Sequence, residues 1–125
     1  MSSTSIHGTL VKEATAVAAL RDKFINEVLS QEEKFWENNL QLIYGVCGLV
    51  QDGRWCLTKR GIGLVDVDNP NEIVPWAELS ARHKVEFILN HRKGLLGKIR
   101  RQFDLLSVQY TKAIQEEQYR TTQPK

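Results

Sequence analysis

The sequence has little of what marks secreted, membrane or disulfide-bonded proteins. It contains only two cysteines, Cys47 and Cys56, which is no disulfide framework for a domain of this size. No stretch approaches the roughly 18 apolar residues that a membrane-spanning helix needs. The N-terminus also lacks the charged and apolar regions of a signal peptide. These absences predict a cytoplasmic protein that has reduced thiols and no membrane partner.

Catalytic and metal-binding patterns are missing as well. The histidines His7, His83 and His91 are not spaced as zinc ligands, because zinc sites place paired ligands about two to four residues apart. The string KGLLGK at 93–98 has fewer residues between its glycines than a Walker loop has. No group of acid, base and nucleophile stands out. We therefore expect a protein that is not an enzyme and has no cofactor.

What the sequence does contain is typical of one small globular domain. The chain has 125 residues, of which 42% are hydrophobic and 26% are charged. A chain of this length and composition folds around a single core. We expect flexible ends at residues 1–8 and 120–125, and one α+β domain over residues 9–119.

The N-terminal third has the periodicity of helices. Apolar residues recur at three- and four-residue steps over residues 9–29, and again over about 31–44. Between these stretches, Ser30 and Glu33 have the spacing of a capping box, which marks the start of a new helix. Gly45 marks its expected end. The pattern predicts two N-terminal helices.

Residues from about 46 to 74 alternate between β-branched or aromatic residues and small or polar ones. This texture predicts a small antiparallel sheet of three or four strands. The Asp52-Gly53 pair predicts a two-residue hairpin turn, in which Val50 lies opposite Trp55. Further turns are expected at 59–61 and 69–71.

Two C-terminal helices are expected after the sheet. Pro75 suits the first turn of the third helix, with Ser80 as an alternative cap, and this helix should end near Asn90. Gly94 and Gly97 follow, and the break could separate two helices or interrupt one long helix; we favour two. The last helix carries a short heptad seam, which could pack on its own domain or pair with another helix. The seam residues proposed for helix pairing are Leu96, Ile99, Phe103, Leu106 and Tyr110.

Positive charge is concentrated in one segment. The whole chain has a net charge of only +2, yet residues 82–101 contain one acid, Glu86, and many lysines and arginines. Such a concentration predicts a surface for an anionic partner. The alternative is a solvated helix face, on which Arg100 could pair with Asp104. The basic residues of the segment are Arg82, Lys84, Arg92, Lys93, Lys98, Arg100 and Arg101.

The string GLVQDGRWCLTKRGIGLV at 48–65 resembles the wing region of winged-helix DNA-binding domains. In that family a helix ends in Gly-Leu-Val, and a turn, an aromatic strand and Leu-Thr-x-x-Gly follow. The resemblance implies that residues 31–44 form a recognition helix in the major groove. It also implies wing contacts to phosphate from Arg54, Lys59 and Arg60. A plain antiparallel sheet without a DNA partner explains the same residues.

Two functions of different classes follow from these patterns. The first is a small non-catalytic nucleic-acid-binding or regulatory protein that uses the basic C-terminal helical region. The second is a protein-interaction module, such as an adaptor, an inhibitor or a subunit of a larger assembly, that docks on an acidic protein. A homodimer is a companion hypothesis, because the seam could pair two copies and double the basic surface.

Overall fold

The computed structural model describes the backbone of residues 2–122 and the side chains of residues 5–121. Helices precede and follow a four-stranded antiparallel sheet, which confirms the predicted α+β class. The chain divides into one unit of residues 1–38 and a second unit of residues 39–125. The predicted flexible ends lie partly outside the described residues, and their described parts are helical.

The N-terminal helices meet without the predicted break. Helix α1 spans Ser2–Phe24, a π-helical turn spans Ile25–Leu29, and α2 spans Ser30–Cys47. Residues 24 and 30 on either side of the turn have right-handed helical dihedral angles. The Ser30 hydroxyl donates to the carbonyl of Asn26 over 2.6 Å. It therefore hydrogen-bonds to the preceding turn of helix instead of capping the start of a new one. The capping-box prediction is therefore wrong.

Helix α2 ends three residues later than predicted, at Cys47. The next residue, Gly48, has a φ of 70°, and its N–H donates to the carbonyl of Tyr44 over 2.7 Å. A glycine in the left-handed region is the common helix terminator because it has no Cβ to clash. Gly48, not Gly45, therefore ends the helix.

The second unit contains the predicted sheet. Strands β1 (Val50–Asp52), β2 (Trp55–Thr58), β3 (Gly61–Val65) and β4 (Ile73–Pro75) are antiparallel neighbours in chain order. The two central strands β2 and β3 are almost entirely buried. Short connections between sequential strands account for this simple order.

The first hairpin turn lies one residue later than predicted, so each β1 residue pairs with a β2 residue two positions further along. Asp52 lies opposite Trp55, and Val50 lies opposite Leu57. The turn residues are therefore Gly53 and Arg54. Gly53 has a φ of 61°, whereas no described residue other than glycine has a positive φ. This combination is typical of a type II′ turn, which needs glycine only at its first central position.

The C-terminal helical segment begins where the alternative cap predicted. A 3₁₀ turn (Trp76–Glu78) follows β4, and α3 spans Ala81–Glu86. The Ser80 hydroxyl accepts a hydrogen bond from the backbone N–H of His83 over 3.2 Å, which confirms Ser80 as the N-cap. Pro75 lies in β4 instead of the first turn of the helix.

This helical segment then continues without the predicted interruption. A π-helical turn spans Phe87–His91, and α4 spans Arg92–Thr122. Gly94 and Gly97 both lie inside α4, so the preference for two separate helices broken near these glycines is wrong. The residues of α3, the π turn and α4 that are buried against the sheet side of the unit are Phe87, Ile88, Leu95 and Ile99.

Gly94 has a packing role instead. A methyl group on Gly94 would overlap the carboxylate of Asp52 at the end of β1. The Asp52 carboxylate also accepts from Lys98, with 3.2 Å between Oδ1 and Nζ. The glycine thus lets the β1–β2 turn approach α4 closely, and Lys98 holds the two together.

Gly94→Ala and Gly97→Ala form a matched pair that tests this role. An alanine normally stabilises a helix interior by about 1 kcal/mol over glycine. A methyl group on Gly97 meets nothing within 4 Å, so Gly97→Ala should show this gain. Gly94→Ala should be about 0.5–1 kcal/mol less stable than Gly97→Ala, because its methyl group moves the Asp52 carboxylate away from Lys98. Urea denaturation measures both, and equal stabilities would contradict the close approach.

Candidate nucleic-acid interface

Four of the basic residues form a surface that faces solvent. Lys93, Arg100 and Arg101 lie on one face of α4, because residues seven and eight positions apart share a helix face. Arg82 lies in α3, in the same run of helix. All four side chains are exposed. We call Arg82, Lys93, Arg100 and Arg101 the outer basic surface.

The cations of the outer basic surface are not neutralised within the described chain. None of the four makes an ion pair with a described residue. In particular, Arg100 and Asp104 do not form the ion pair that a solvated helix face would favour. Their charge is therefore available to an external anion.

The other three basic residues of the segment are tied to the fold. The ammonium group of Lys84 lies 5.6 Å from the centre of the Trp76 ring, within range of a cation–π interaction. Lys98 binds the carboxylate of Asp52, and it also donates to the carbonyl of Gln51 over 3.3 Å. Arg92 is half-buried at the start of α4. The charges in the sequence could not distinguish these three residues from the four residues of the outer basic surface.

The residues predicted as wing contacts do not lie together. Arg54 is in the β1–β2 turn, and its guanidinium donates to the carbonyl of Val65 over 2.9 Å. Lys59 and Arg60 form the β2–β3 turn, at the other end of β2. The four residues of β2 separate the two turns by roughly 13 Å. The hairpin therefore does not present these cations as a single wing.

The predicted recognition helix has the wrong charge for DNA. Residues 31–44 lie within α2, where Glu32, Glu33 and Glu37 outnumber the single lysine, Lys34. Phosphate repels such a helix. The winged-helix resemblance therefore extends only to the local string at 48–65.

The heptad seam changes its environment along α4. Ile99 is 3% exposed and belongs to the core, because this part of α4 lies against β1 and β2. It is therefore not available for pairing with another helix. Leu96, Phe103 and Leu106 are half-buried, and Tyr110 is 60% exposed. Only the far end of the seam is open to a partner.

The two cysteines are free and buried, as the reading of reduced thiols predicted. Cys47 ends α2 and Cys56 lies in β2. Burial raises the pKa of both thiols, since a thiolate is poorly solvated there. Both are therefore neutral, weakly reactive side chains.

A cleft of about 320 Å³ lies between the β1–β2 turn and the C-terminal helical segment. No local pattern of the sequence predicts this cleft, because its lining comes from separate parts of the chain. The hairpin and the helix bring together residues about thirty positions apart. Its polar and aromatic lining comes from Asp52, Arg54, Trp55, His83, Glu86 and His91.

The aromatic side of the cleft is built from a cluster of tilted rings. The centre of the Trp55 ring is 4.8 Å from that of Phe87 and 5.9 Å from that of His91. The π-helical turn contains both Phe87 and His91. His91 Nε2 lies 3.6 Å from Glu86 Oε1, and His83 Nδ1 lies 3.1 Å from the Ser80 hydroxyl. Among the described residues, no three histidine, cysteine or acidic side chains are placed to hold a metal ion.

Comparisons with known proteins identify no relative of this chain. No protein-family model, curated protein or solved structure matches this chain. No helix within residues 2–122 combines the length and apolar character that crossing a membrane requires. The features that indicate a function are therefore the outer basic surface, the cleft and the open end of α4.

Proposed function

We propose that the protein is a non-catalytic nucleic-acid-binding protein whose outer basic surface contacts phosphates. The observation that carries the proposal is the set of four exposed cations with no ion-pair partner in the described chain. Exposed cations without an ion-pair partner contribute little to the stability of the fold. It does supply the positive charge that attracts a phosphate backbone.

The fold holds these cations in fixed positions. Leu95 and Ile99 are buried, and they anchor the first turns of α4 on the sheet. Lys93, Arg100 and Arg101 alternate with these anchors and project from the other side of the helix. They cover roughly 12 Å along the helix axis. A rigid helix lowers the entropy cost of binding, because the cations need not be gathered first.

Arginine suits this role better than lysine does. Its planar guanidinium can donate two hydrogen bonds to one phosphate and remains charged at every physiological pH. Arg82, Arg100 and Arg101 supply three such groups, with Lys93 as a fourth cation. Contacts of this kind fix a nucleic acid in place without reading its bases.

A charge-neutral variant tests the outer basic surface. In Lys93→Gln, Arg100→Gln, Arg101→Gln, the affinity for a labelled single-stranded oligonucleotide should fall by about tenfold or more at low salt. The slope of log affinity against log salt should also become less steep by about two, since three phosphate contacts are lost. Fluorescence anisotropy over a salt series measures both.

The control carries the same charge change elsewhere on the chain. Lys12→Gln, Lys23→Gln, Lys112→Gln also removes three exposed cations, so it shares the change in net charge. It should keep the affinity and slope of the unmodified protein. Equal losses in both variants would show only a general charge effect, and no binding by the unmodified protein at low salt would refute the proposal.

A second candidate, a protein-interaction module, is favoured by the open end of α4. Every residue from 107 to 121 is exposed, although several are large and apolar. Tyr110 and Ile114 are 60% and 57% exposed and continue the seam face of Phe103 and Leu106. Exposed apolar faces of this kind mark interaction sites. A helix of a second copy, or of an acidic protein drawn by the basic surface, would cover it.

Variants on opposite faces of α4 test this second candidate. Tyr110→Ser, Ile114→Ser removes the open seam face, whereas Leu105→Ser, Val108→Ser removes equally exposed residues from the opposite face. If the seam pairs helices, only the first variant should weaken the complex, because apolar burial drives helix pairing. Sedimentation velocity measures self-association, and an affinity capture with and without nuclease measures a protein partner. Equal behaviour of the two variants would exclude the seam.

A further inference from the structure

We infer that the cleft beside the outer basic surface binds one nucleotide, with the base stacked on His91 and a base amino group donating to Glu86. This inference rests on the proposed function and deepens it. It specifies a nucleotide with an unpaired base, because a base inside a duplex cannot reach such a cleft.

The first support is an aromatic platform. Trp55 is 4% exposed and Phe87 is fully buried, so neither ring is open to a ligand. His91 is tilted by 30° from Trp55 and keeps 40% of its side-chain surface in solvent. It is therefore the accessible ring of this aromatic cluster. Unpaired bases stack on aromatic side chains, histidine included.

The second support is a carboxylate with spare acceptor capacity. The Glu86 carboxylate lies 3.6 Å from His91 Nε2, a distance too long for a hydrogen bond, and it makes no other ion pair with a described residue. Its side chain is 52% exposed. A carboxylate accepts from exocyclic amino groups such as N4 of cytosine. Thymine and uracil present a carbonyl at that position, which a carboxylate repels.

Charge determines which part of a nucleotide enters. The carboxylates of Asp52 and Glu86 outnumber the one arginine of the lining, Arg54, so a phosphate inside the cleft would meet more negative than positive charge. Arg82 of the outer basic surface and Glu86 of the cleft lining are four residues apart in α3, so they lie one turn apart on the same helix face. The cleft therefore adjoins the outer basic surface directly. The base enters the cleft and the phosphates remain on the cations outside.

The size of the cleft suits one base. Small-molecule sites usually have volumes of about 300–1,000 Å³, and this cleft is at the lower end. Arg54 completes the polar edge: one guanidinium nitrogen donates to Val65, and the other N–H groups can face a ligand. A site with one ring to stack on and a donor and acceptor at its edge matches a single base.

Oligonucleotides with and without bases test the inference. The probes are oligodeoxycytidine, oligodeoxythymidine and an abasic strand, each of about twelve nucleotides. His91→Ala should bind oligodeoxycytidine about tenfold more weakly and the abasic strand unchanged, because only stacking is lost. His91→Phe should restore the affinity. The abasic strand controls for folding, since it requires an intact outer basic surface.

The base edge is tested by Glu86→Gln. The unmodified protein should prefer oligodeoxycytidine to oligodeoxythymidine by about tenfold. Glutamine can donate to thymine as well as accept from cytosine, so Glu86→Gln should lose that preference while keeping its affinity for the abasic strand. Cytidine monophosphate is titrated in parallel by NMR. His91-dependent binding of the free nucleotide identifies a mononucleotide as sufficient, whereas binding of the strand alone identifies a strand as the ligand.

The outcomes separate this inference from the proposed function. If the two base-containing strands and the abasic strand bind equally, and His91→Ala matches the unmodified protein, the cleft inference is overturned and the phosphate surface stands. If no strand binds at low salt but cytidine monophosphate does, the proposed function fails and the cleft holds a free nucleotide. If nothing binds, both are wrong.

Discussion

The packing of the Trp55 ring against the π-helical turn is the constraint on which the second unit depends. Phe87 and His91 are four residues apart and both contact this ring. Trp76 adds a further ring beside Phe87, at 5.7 Å between centres. Aromatic pairs of this kind contribute about 0.5–1.5 kcal/mol each beyond their buried area. Because these rings fix the helix on the sheet, they also decide which of its side chains point outward and where the cleft lies.

The basic segment shows how packing sorts residues that look alike in sequence. Lys98 and Lys93 are both exposed lysines on α4, yet only Lys98 meets the β1–β2 turn, at the point that Gly94 leaves open. The charge of Lys98 holds the β1–β2 turn against α4, whereas the charge of Lys93 has no ion-pair partner among the described residues and is available to a ligand. The surface proposed for phosphate is therefore smaller than the sequence implies.

Local chemistry predicted the coarse architecture well, and its failures have physical causes. The sheet follows from the alternation of β-branched or aromatic residues with small or polar ones. The cap follows from the hydroxyl of Ser80. The π-helical turns were missed because one wider turn leaves the three- and four-residue spacing of apolar residues almost unchanged. The chain also stays helical on both sides of each turn. The hairpin register was missed because it depends on the negative φ of Arg54. The cleft was missed because Asp52 and the helix residues that line it are far apart in the sequence. A local sequence pattern cannot show that they come together.

The exposure of the last part of α4 implies a gradient of stability along one helix. Its first turns are fixed by Leu95 and Ile99, whereas residues 107–121 have no buried side chain among them. Isolated helices of about 12–15 residues are only marginally stable in water. This end must therefore open and close far more often than the anchored end, on the timescale of local unfolding. A partner that covers it would bind by completing the helix, so recognition and ordering would be a single thermodynamic event.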